Sequence, residues 1–387
     1  MPTETAAVFT NEKDSSVAGQ DLGKQIRAAL NERPDAVVVF ASGEFDHVAL
    51  LHALRETCQP GVMVGASSAG EFTGSQRGEG SACALAVRST EMRFAAGIGS
   101  GVSRDRTSAA AQVTAAFTGL NTHEFAYRTA LVMTDALAGH ADELIEQLTI
   151  STGGVYEFAG GGAGDDAKFS RTHVFCDTRV MTDACVALEI LSRKPLGIGV
   201  QHGWLPSSEP LRVTDVQGAR LVSLDGFPAV EAFEQYAERT GQKLDREAPL
   251  PFFLHNIIGI ETQAGHRLRV PLSIDADGAV TCAAGIPAGA RVHIMKATAS
   301  SATEAASEAA RSAMKVLGGQ TSGALFFDCV ATRFRLGEMF GFELEAVQAA
   351  LGGSQVVGCN TYGQIARADG QFGGFHNCTA VVLAFPT

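Results

Sequence analysis

Two hydrophobic rhythms alternate along this chain. Short runs of consecutive small or β-branched apolar residues, of the kind that fill buried strands, are separated by stretches whose apolar positions recur every three or four residues, as on one side of a helix. Thr5 to Phe9 predicts a strand, Asp21 to Leu30 a helix, and Ala36-Val37-Val38-Val39-Phe40 a short buried strand. After a turn at Ser42-Gly43, Val48 to Arg55 predicts a helix with Leu50, Leu51 and Leu54 on one side, and Pro60-Gly61 ends it. Strand 62–64 leads into the loop Gly65-Ala66-Ser67-Ser68-Ala69-Gly70-Glu71, and strand 82–87 follows.

The order then repeats. Strand 94–98, an Ala-rich helix over 108–120, strand 130–133 and a helix over 141–150 lead to a second loop, Gly160-Gly161-Gly162-Ala163-Gly164-Asp165, and to strands 173–176 and 184–191. Near the C-terminus, strand 292–295, a helix over 302–317 with few bulky residues, strand 324–327 and a helix over 343–351 closed by Gly352-Gly353 lead to a third loop. That loop runs Gly358-Cys359-Asn360-Thr361-Tyr362-Gly363-Gln364-Ile365, with the last strand over 375–385. A strand–helix–strand–helix–strand–loop–strand unit used three times is the expectation. Convergent α/β grammar is the alternative, because the copies share order and spacing and little identity.

Residues 193–290 break the rhythm. Leu211–Thr214 and Arg220–Leu224 flank Gln217-Gly218 as a hairpin, and Phe227-Pro228 opens a helix to about Arg239. Phe252 to Ile260 and Leu268 to Ile274 predict strands, with Asp277-Gly278 as the next turn. A chain of 387 residues exceeds one ordinary core. Two domains, 1–225 and 226–387, are therefore expected within an α/β (α+β) architecture of layered sheets flanked by helices.

Composition narrows the function. Apolar residues make up 45% and charged residues 19% of the chain, as in a globular protein with ample core. The net charge of −12 and a pI near 5.3, with no dense Lys/Arg run, argue against a nucleic-acid partner. No apolar run approaches the roughly 20 residues of a bilayer span, and Met1-Pro2-Thr3-Glu4-Thr5 does not open a signal peptide. The eight cysteines are scattered without a CxxC pair. That suits buried, reduced thiols and a cytoplasmic location.

Glycine admits backbone conformations and close approaches closed to other residues. The three glycine loops therefore point to a small ligand touched by main chain. None is a phosphate motif: Gly160 to Gly164 lacks the Lys-Ser/Thr ending, and Asp165-Asp166, adjacent acids in a glycine loop and so expected to be solvated, would repel phosphate. Catalysis is not expected. There is no G-x-S-x-G elbow and no HExxH, and the carboxylate beside Cys329 should raise its thiol pKa and leave it inert.

Several of these segments resemble the FIST sensory family. Gly65-Ala66-Ser67-Ser68-Ala69-Gly70-Glu71 is similar to that family's GxSTAGE loop. Val213-Thr214 with Leu224-Asp225-Gly226-Phe227-Pro228-Ala229 is similar to its hairpin-to-helix junction, and Phe327-Asp328-Cys329 to Arg333 to its Cys/Arg segment. The third loop and Phe375-His376-Asn377-Cys378-Thr379 resemble its closing loop and FHN-x-T strand. Gln364 departs from a position where the family often has Glu, and Asn360 and Thr361 make the last loop unusually polar.

The resemblance implies ligand sensing inside the cell, with amino acids or similar metabolites as proposed ligands. A free-standing chain with both domains is also similar to NosP-type proteins. That implies haem b, nitric oxide as its ligand, and a separate histidine kinase or cyclic-di-GMP enzyme as output partner, with a homodimer open. Candidate ligand-binding residues are Ser67, Ser68, Gly70, Asn360, Thr361, Tyr362, Gly363, His376 and Asn377. They sit at strand ends, where ligands collect in open α/β sheets, or they are structural turn residues. His202, beside the only tryptophan, and His255, among apolar residues, are the haem axial candidates. A lone histidine among apolar residues is more often a satisfied core histidine, and without CxxCH the haem would be non-covalent.

Overall fold

The computed structural model describes residues 3–263, 265–368 and 374–387. Met1 and Pro2, the start of the segment expected not to be a signal peptide, lie outside them. The first unit contains β1 (Glu4–Thr10), α1 (Ser15–Leu30), β2 (Ala36–Ser42), α2 (His47–Cys58), β3 (Val62–Ser68), the hairpin β4 (Glu71–Thr73) and β5 (Arg77–Gly78), and β6 (Ala82–Arg88). Its sheet runs β1-β6-β2-β3, with β2 and β3 parallel and the rest antiparallel. α1 starts six residues before the expected Asp21, because Asp14 caps it by accepting from the Val17 amide. Ala18, Leu22, Ile26 and Leu30 then form its buried stripe.

The second unit repeats the plan with β7 (Met92–Ser100), α3 (Arg106–Thr114), β8 (Tyr127–Thr134), α4 (Ala141–Ser151), β9 (Glu157–Gly162), the hairpin β10 (Val174–Cys176) and β11 (Arg179–Met181), and β12 (Ala184–Ser192). Its order is β7-β12-β8-β9.

The third unit opens with β13 (Gly197–Gln201) and is then interrupted. The inserted region contains β14 (Leu205–Pro206), β15 (Leu211–Gln217), β16 (Arg220–Leu224), β17 (Phe227–Pro228), α5 (Ala229–Thr240), α6 (Leu250–Phe253), β18 (Ile257–Thr262), β19 (Gly265–Arg269), β20 (Pro271–Ile274), β21 (Val280–Cys282) and β22 (Arg291–Lys296), and its strands make one sheet. The unit resumes with α7 (Ala299–Leu317), β23 (Thr321–Cys329), α8 (Val330–Leu336), α9 (Phe340–Ala350), β24 (Val356–Thr361), the hairpin β25 (Gln364–Arg367) and β26 (Phe375–His376), and β27 (Ala380–Pro386), in the order β13-β27-β23-β24.

The threefold repeat is therefore present, with one correction. Strand 292–295, expected to open the third copy, is β22 and pairs with β18 and β15 of the inserted sheet. The true first strand, β13, is short and glycine-rich. Its Gly199 lies where a Cβ would come within 1.8 Å of the Ala309 carbonyl, so the Ala-rich α7 packs directly on strand backbone. A second correction falls at Phe252 to Ile260, expected as one strand. Pro249 precedes and Pro251 enters α6, where their fixed φ suits a helix start. The Asn256 side chain donates to the Phe252 carbonyl at 2.9 Å, and β18 begins only at Ile257.

The three sheets are locked together by exchange of hairpins. β10 pairs with β3, β25 with β9, and β4 with β24, so each unit completes a neighbour's sheet in a closed cycle. In the register of these pairs Gly65 faces Phe175, Gly160 faces Ile365 and Gly358 faces Phe72. A Cβ on Gly358 would lie 2.4 Å from the Phe72 ring, so glycine is what lets the exchanged hairpin seat. Side chains of all three sheets, including Phe40, Leu131, Met133, Phe327 and Leu383, fill one central core. Phe40 and Phe327 meet edge to face at 5.7 Å between ring centres. Helices cover each sheet from outside, and the inserted sheet has its own core around Phe233, Phe253 and Ile258. Among the described residues no helix is long and apolar enough to cross a membrane.

Candidate functional site

The three glycine loops meet one another. Ala69 donates its amide to the Asn360 carbonyl at 2.9 Å, and Asn360 returns its own to Gly70 at 2.8 Å. Gly162 donates to Gly363 at 2.9 Å, and Tyr362 donates back to Gly162 at 3.0 Å. Gly164 donates to Ser67 at 2.9 Å, and Asp166 to Ser68 at 3.1 Å. The loops thus form a ring of backbone bonds at the centre of the threefold arrangement. Gly164 leaves room for Ala69, whose amide nitrogen would be 2.7 Å from an added Cβ.

The candidate residues divide over this ring. Ser67 and Ser68 extend β3 and are fully buried. Ser67 Oγ accepts from the His173 amide at 2.9 Å, and Ser68 Oγ donates to Glu71. Thr361 is equally buried; its hydroxyl donates to the Asp328 carbonyl at 3.1 Å and accepts from Gln364 Nε2 at 2.9 Å. Gln364 also accepts from the Thr379 amide at 3.2 Å, so its amide group serves both as donor and as acceptor, which a carboxylate could not. His376 bonds through Nε2 to the Ala366 carbonyl at 3.1 Å, and burial pushes its pKa down to about 4. None of Ser67, Ser68, Thr361, Gln364 and His376 lines either cavity described below.

Gly70 and Asn360 border one cavity of about 510 Å³, together with Arg77, Arg333, Glu71 and Phe334. Arg333 bonds to the Ala69 carbonyl and to Glu79. Burial pushes Glu71 up to about 7 against the hydrogen bonds from Ser68 and Ser81.

Tyr362, Gly363 and Asn377 border a different cleft, of about 490 Å³ and mostly apolar, between the threefold core and the inserted sheet. The core contributes the start of α4 at Ala141 and Asp142, the start of α8 at Cys329 and Val330, and Phe375. The inserted region contributes Ala219, Leu250, Leu254, Val270, Leu272, Ala283 and Ala284. Tyr362 stacks on Phe169 with ring centres 4.4 Å apart and planes 10° from parallel. Tyr362 also donates its hydroxyl to Asp165.

Asp165 was expected to be solvated and is instead buried. Burial opposes its ionisation, but the Tyr362 hydroxyl and the amides of Arg171, Ser170 and Phe169 hold it below the usual carboxylate range. It is therefore the anchor that holds Phe169 beneath Tyr362.

Two acceptor atoms in the cleft residues have no partner: the buried Asn377 Oδ1 and Asp142 Oδ1. Asp142 uses its other oxygen for Arg269 Nη2 at 2.8 Å. Cys329 departs from expectation. Its pKa falls to about 6, chiefly through a hydrogen bond with the Cys378 thiol, with burial opposing and the Ala331 amide and Gln364 assisting. The neighbouring Asp328, expected to raise it, is pushed well above the usual carboxylate range by its own burial and so carries little charge near neutrality.

Neither haem candidate, His202 or His255, is placed as an axial ligand. His202 uses Nε2 on the His266 carbonyl at 2.9 Å and Nδ1 on the Trp204 amide at 3.3 Å, leaving no ring nitrogen for a metal. His255 is exposed and borders neither cavity. Among the described residues no group of three or more His, Cys, Asp or Glu side chains is placed to hold a metal ion. The two candidate histidines therefore do not fit a haem axial role.

Sequence reasoning missed Asp142, Phe169 and the whole inserted wall of the cleft. None of them carries a motif: the apolar ones read equally as core, and Asp142 reads as an ordinary acid in the first turn of a helix.

No curated protein matches the chain. Among solved structures it is similar to the cyanuric acid hydrolase of A. caulinodans, with 8% sequence identity over 99% of each chain and a TM-score of 0.33. A likeness that loose carries no functional argument. The FIST N domain model matches residues 35–226 and the FIST C domain model matches residues 229–367. The chain belongs to the FIST family, whose domains are small-ligand sensory domains of signal transduction.

Proposed function

We infer that this protein is a sensor that binds a metal-free small metabolite in the cleft between the threefold core and the inserted sheet, and transforms nothing. The observation that carries this reading is the composition of the cleft. A mostly apolar cavity of about 490 Å³ contains a stacked aromatic pair and the unpartnered acceptors Asn377 Oδ1 and Asp142 Oδ1. Apolar walls with a few convergent polar groups are the usual make-up of a small-molecule site. Each unpaired acceptor also costs stability until a donor arrives.

The cleft is lined by both bodies, so a ligand that fills it ties them together and favours one relative placement, which is what a sensor must convert into output. Output through a separate histidine kinase or cyclic-di-GMP enzyme rests on the family resemblance alone.

The test is a thermal-shift screen of metabolites against the intact protein and against Ala283→Trp, whose added ring enters the cleft from an exposed wall position. A ligand that raises the melting temperature of the first and not the second supports the reading. Hits unaffected by Ala283→Trp would move the site elsewhere. An absorption spectrum after haem supplementation addresses the other form of the reading. A Soret band abolished by losing one histidine would replace the metabolite with haem.

A further inference from the structure

We propose that the cleft takes an amphiphilic amine, a molecule with a compact apolar body and a protonated nitrogen that lodges against Asp142 and Asn377. The proposal rests on the reading of this cleft as the ligand site and adds the sign of the charge that it selects.

The ionisable side chains along the wall decide that sign. Asp142 and Glu143 are carboxylates and His140 is an imidazole, and no Lys or Arg is among the described lining residues. Arg269 reaches Asp142 at 2.8 Å through Oδ2, and the other oxygen has no partner. Glu143 is bound by Arg106 through Oε2, at 3.0 Å from Nε, and leaves Oε1 only the His140 ring at 3.3 Å. Asn377 Oδ1 is likewise without a donor. Both of these unpartnered atoms are acceptors that call for a donor, and an ammonium group supplies three. The stacked faces of Tyr362 and Phe169 add an aromatic surface of the kind that attracts cations.

One feature favours the opposite charge. The first turn of α4 borders the cleft, and its N-cap residue His140 makes no side-chain capping bond, so free amides could attract an anion. That turn already contains Asp142 and Glu143, which complement its dipole from within. A carboxylate ligand would have to approach both. The preference thus falls on the amine.

The experiment is isothermal titration of the intact protein at pH 7 with 2-phenylethylamine and with phenylacetate, which share a ring and differ in the sign of the head group. Ala283→Trp and Leu272→Trp, each placing bulk in the cleft from an exposed wall position on a different segment, show whether binding occurs there. Two variants are used so that misfolding of one does not decide the result.

The expected outcome is saturable amine binding, at least about tenfold tighter than phenylacetate, lost in whichever cleft variants remain folded. Phenylacetate binding as tightly as the amine or more so, with the same loss in the variants, overturns the proposal and leaves the cleft as the ligand site. Failure of both probes to bind, or binding that the variants do not touch, overturns the proposal together with the reading beneath it.

Discussion

Asp142, in the first turn of α4, holds Arg269 of the inserted sheet through a 2.8 Å contact between Oδ2 and Nη2. Arg269 is almost wholly buried and gives its other donors to the Gly285 and Leu268 carbonyls. This pair joins the threefold core to the insertion at the edge of the cleft. Asp142→Ala should cost about 2–3 kcal/mol, below the usual cost of breaking a fully buried pair because Asp142 retains some exposure. Arg269→Met in the same chain should restore part of that loss, since the stranded guanidinium is the main penalty. Urea denaturation of the two single variants and the double variant measures the coupling. Strictly additive losses would show that the pair does not act as a unit.

Glu71 gives stability a pH dependence of unusual sign. Burial raises its pKa from 4.5 to about 7, so the folded state binds its proton more tightly than the unfolded chain does. Its contribution is therefore complete below about pH 4.5 and is lost as pH rises through about 7. The full excursion is about 3 kcal/mol. Glu71→Gln keeps the shape of the side chain and cannot titrate. Its stability relative to the parent should rise between pH 4.5 and 8, followed by chemical denaturation at each pH. Parallel profiles for the two proteins would remove Glu71 as the cause.

His376 acts with the opposite sign. Burial lowers its pKa from 6.5 to about 4, so the folded state resists protonation. Its contribution is present above about pH 6.5 and lost as pH falls through about 4, with an excursion of about 3 kcal/mol. His376→Gln retains a donor for the Ala366 carbonyl and removes the titration. The variant should lose less stability than the parent between pH 6.5 and 4, and equal losses would place the acid sensitivity elsewhere. His47 also falls to about 4 through burial and serves as the control, since His376→Gln leaves it in place.

The threefold plan was legible because each copy repeats the same local physics: β-branched runs for buried strands, a periodic helix, and glycines before a closing strand. What the glycines admit was not legible. Gly358 reads as room for a ligand, and only the exchanged hairpin shows that Phe72 fills that room. The order of β13 and β22 failed for a related reason. Both are short strands, and the break in rhythm over 193–290 does not show that β13, at Gly197–Gln201, has already opened the third copy. Tyr362 and Gly363, candidates from the third loop, and Asn377, a candidate from the closing strand, border the cleft, whereas Asp142 and Phe169 reach it only through tertiary placement. Asp165 looked like a solvated acid because the amides it accepts from lie four to six residues further on, at Phe169, Ser170 and Arg171.

Cys329 offers a chemical readout of the cleft. It lies in the wall, and its thiol is held down to about 6 chiefly by the hydrogen bond with Cys378, whereas burial or neighbouring groups raise the other seven cysteines. Only the thiolate reacts with an alkylating agent. Iodoacetamide at pH 7 should therefore modify Cys329 first, with a rate that levels off above about pH 6 to 7. Removing its hydrogen-bond partner in Cys378→Ala should slow that reaction at pH 7 by about tenfold, as the thiolate fraction falls toward that of an ordinary thiol. Peptide mapping by mass spectrometry identifies the modified residue and its rate. Any ligand that fills the cleft should shield Cys329 in proportion to its occupancy, so the same measurement reports binding without a label. A rate that keeps climbing beyond pH 8, or first modification at another cysteine, would show that Cys378 does not hold the thiolate.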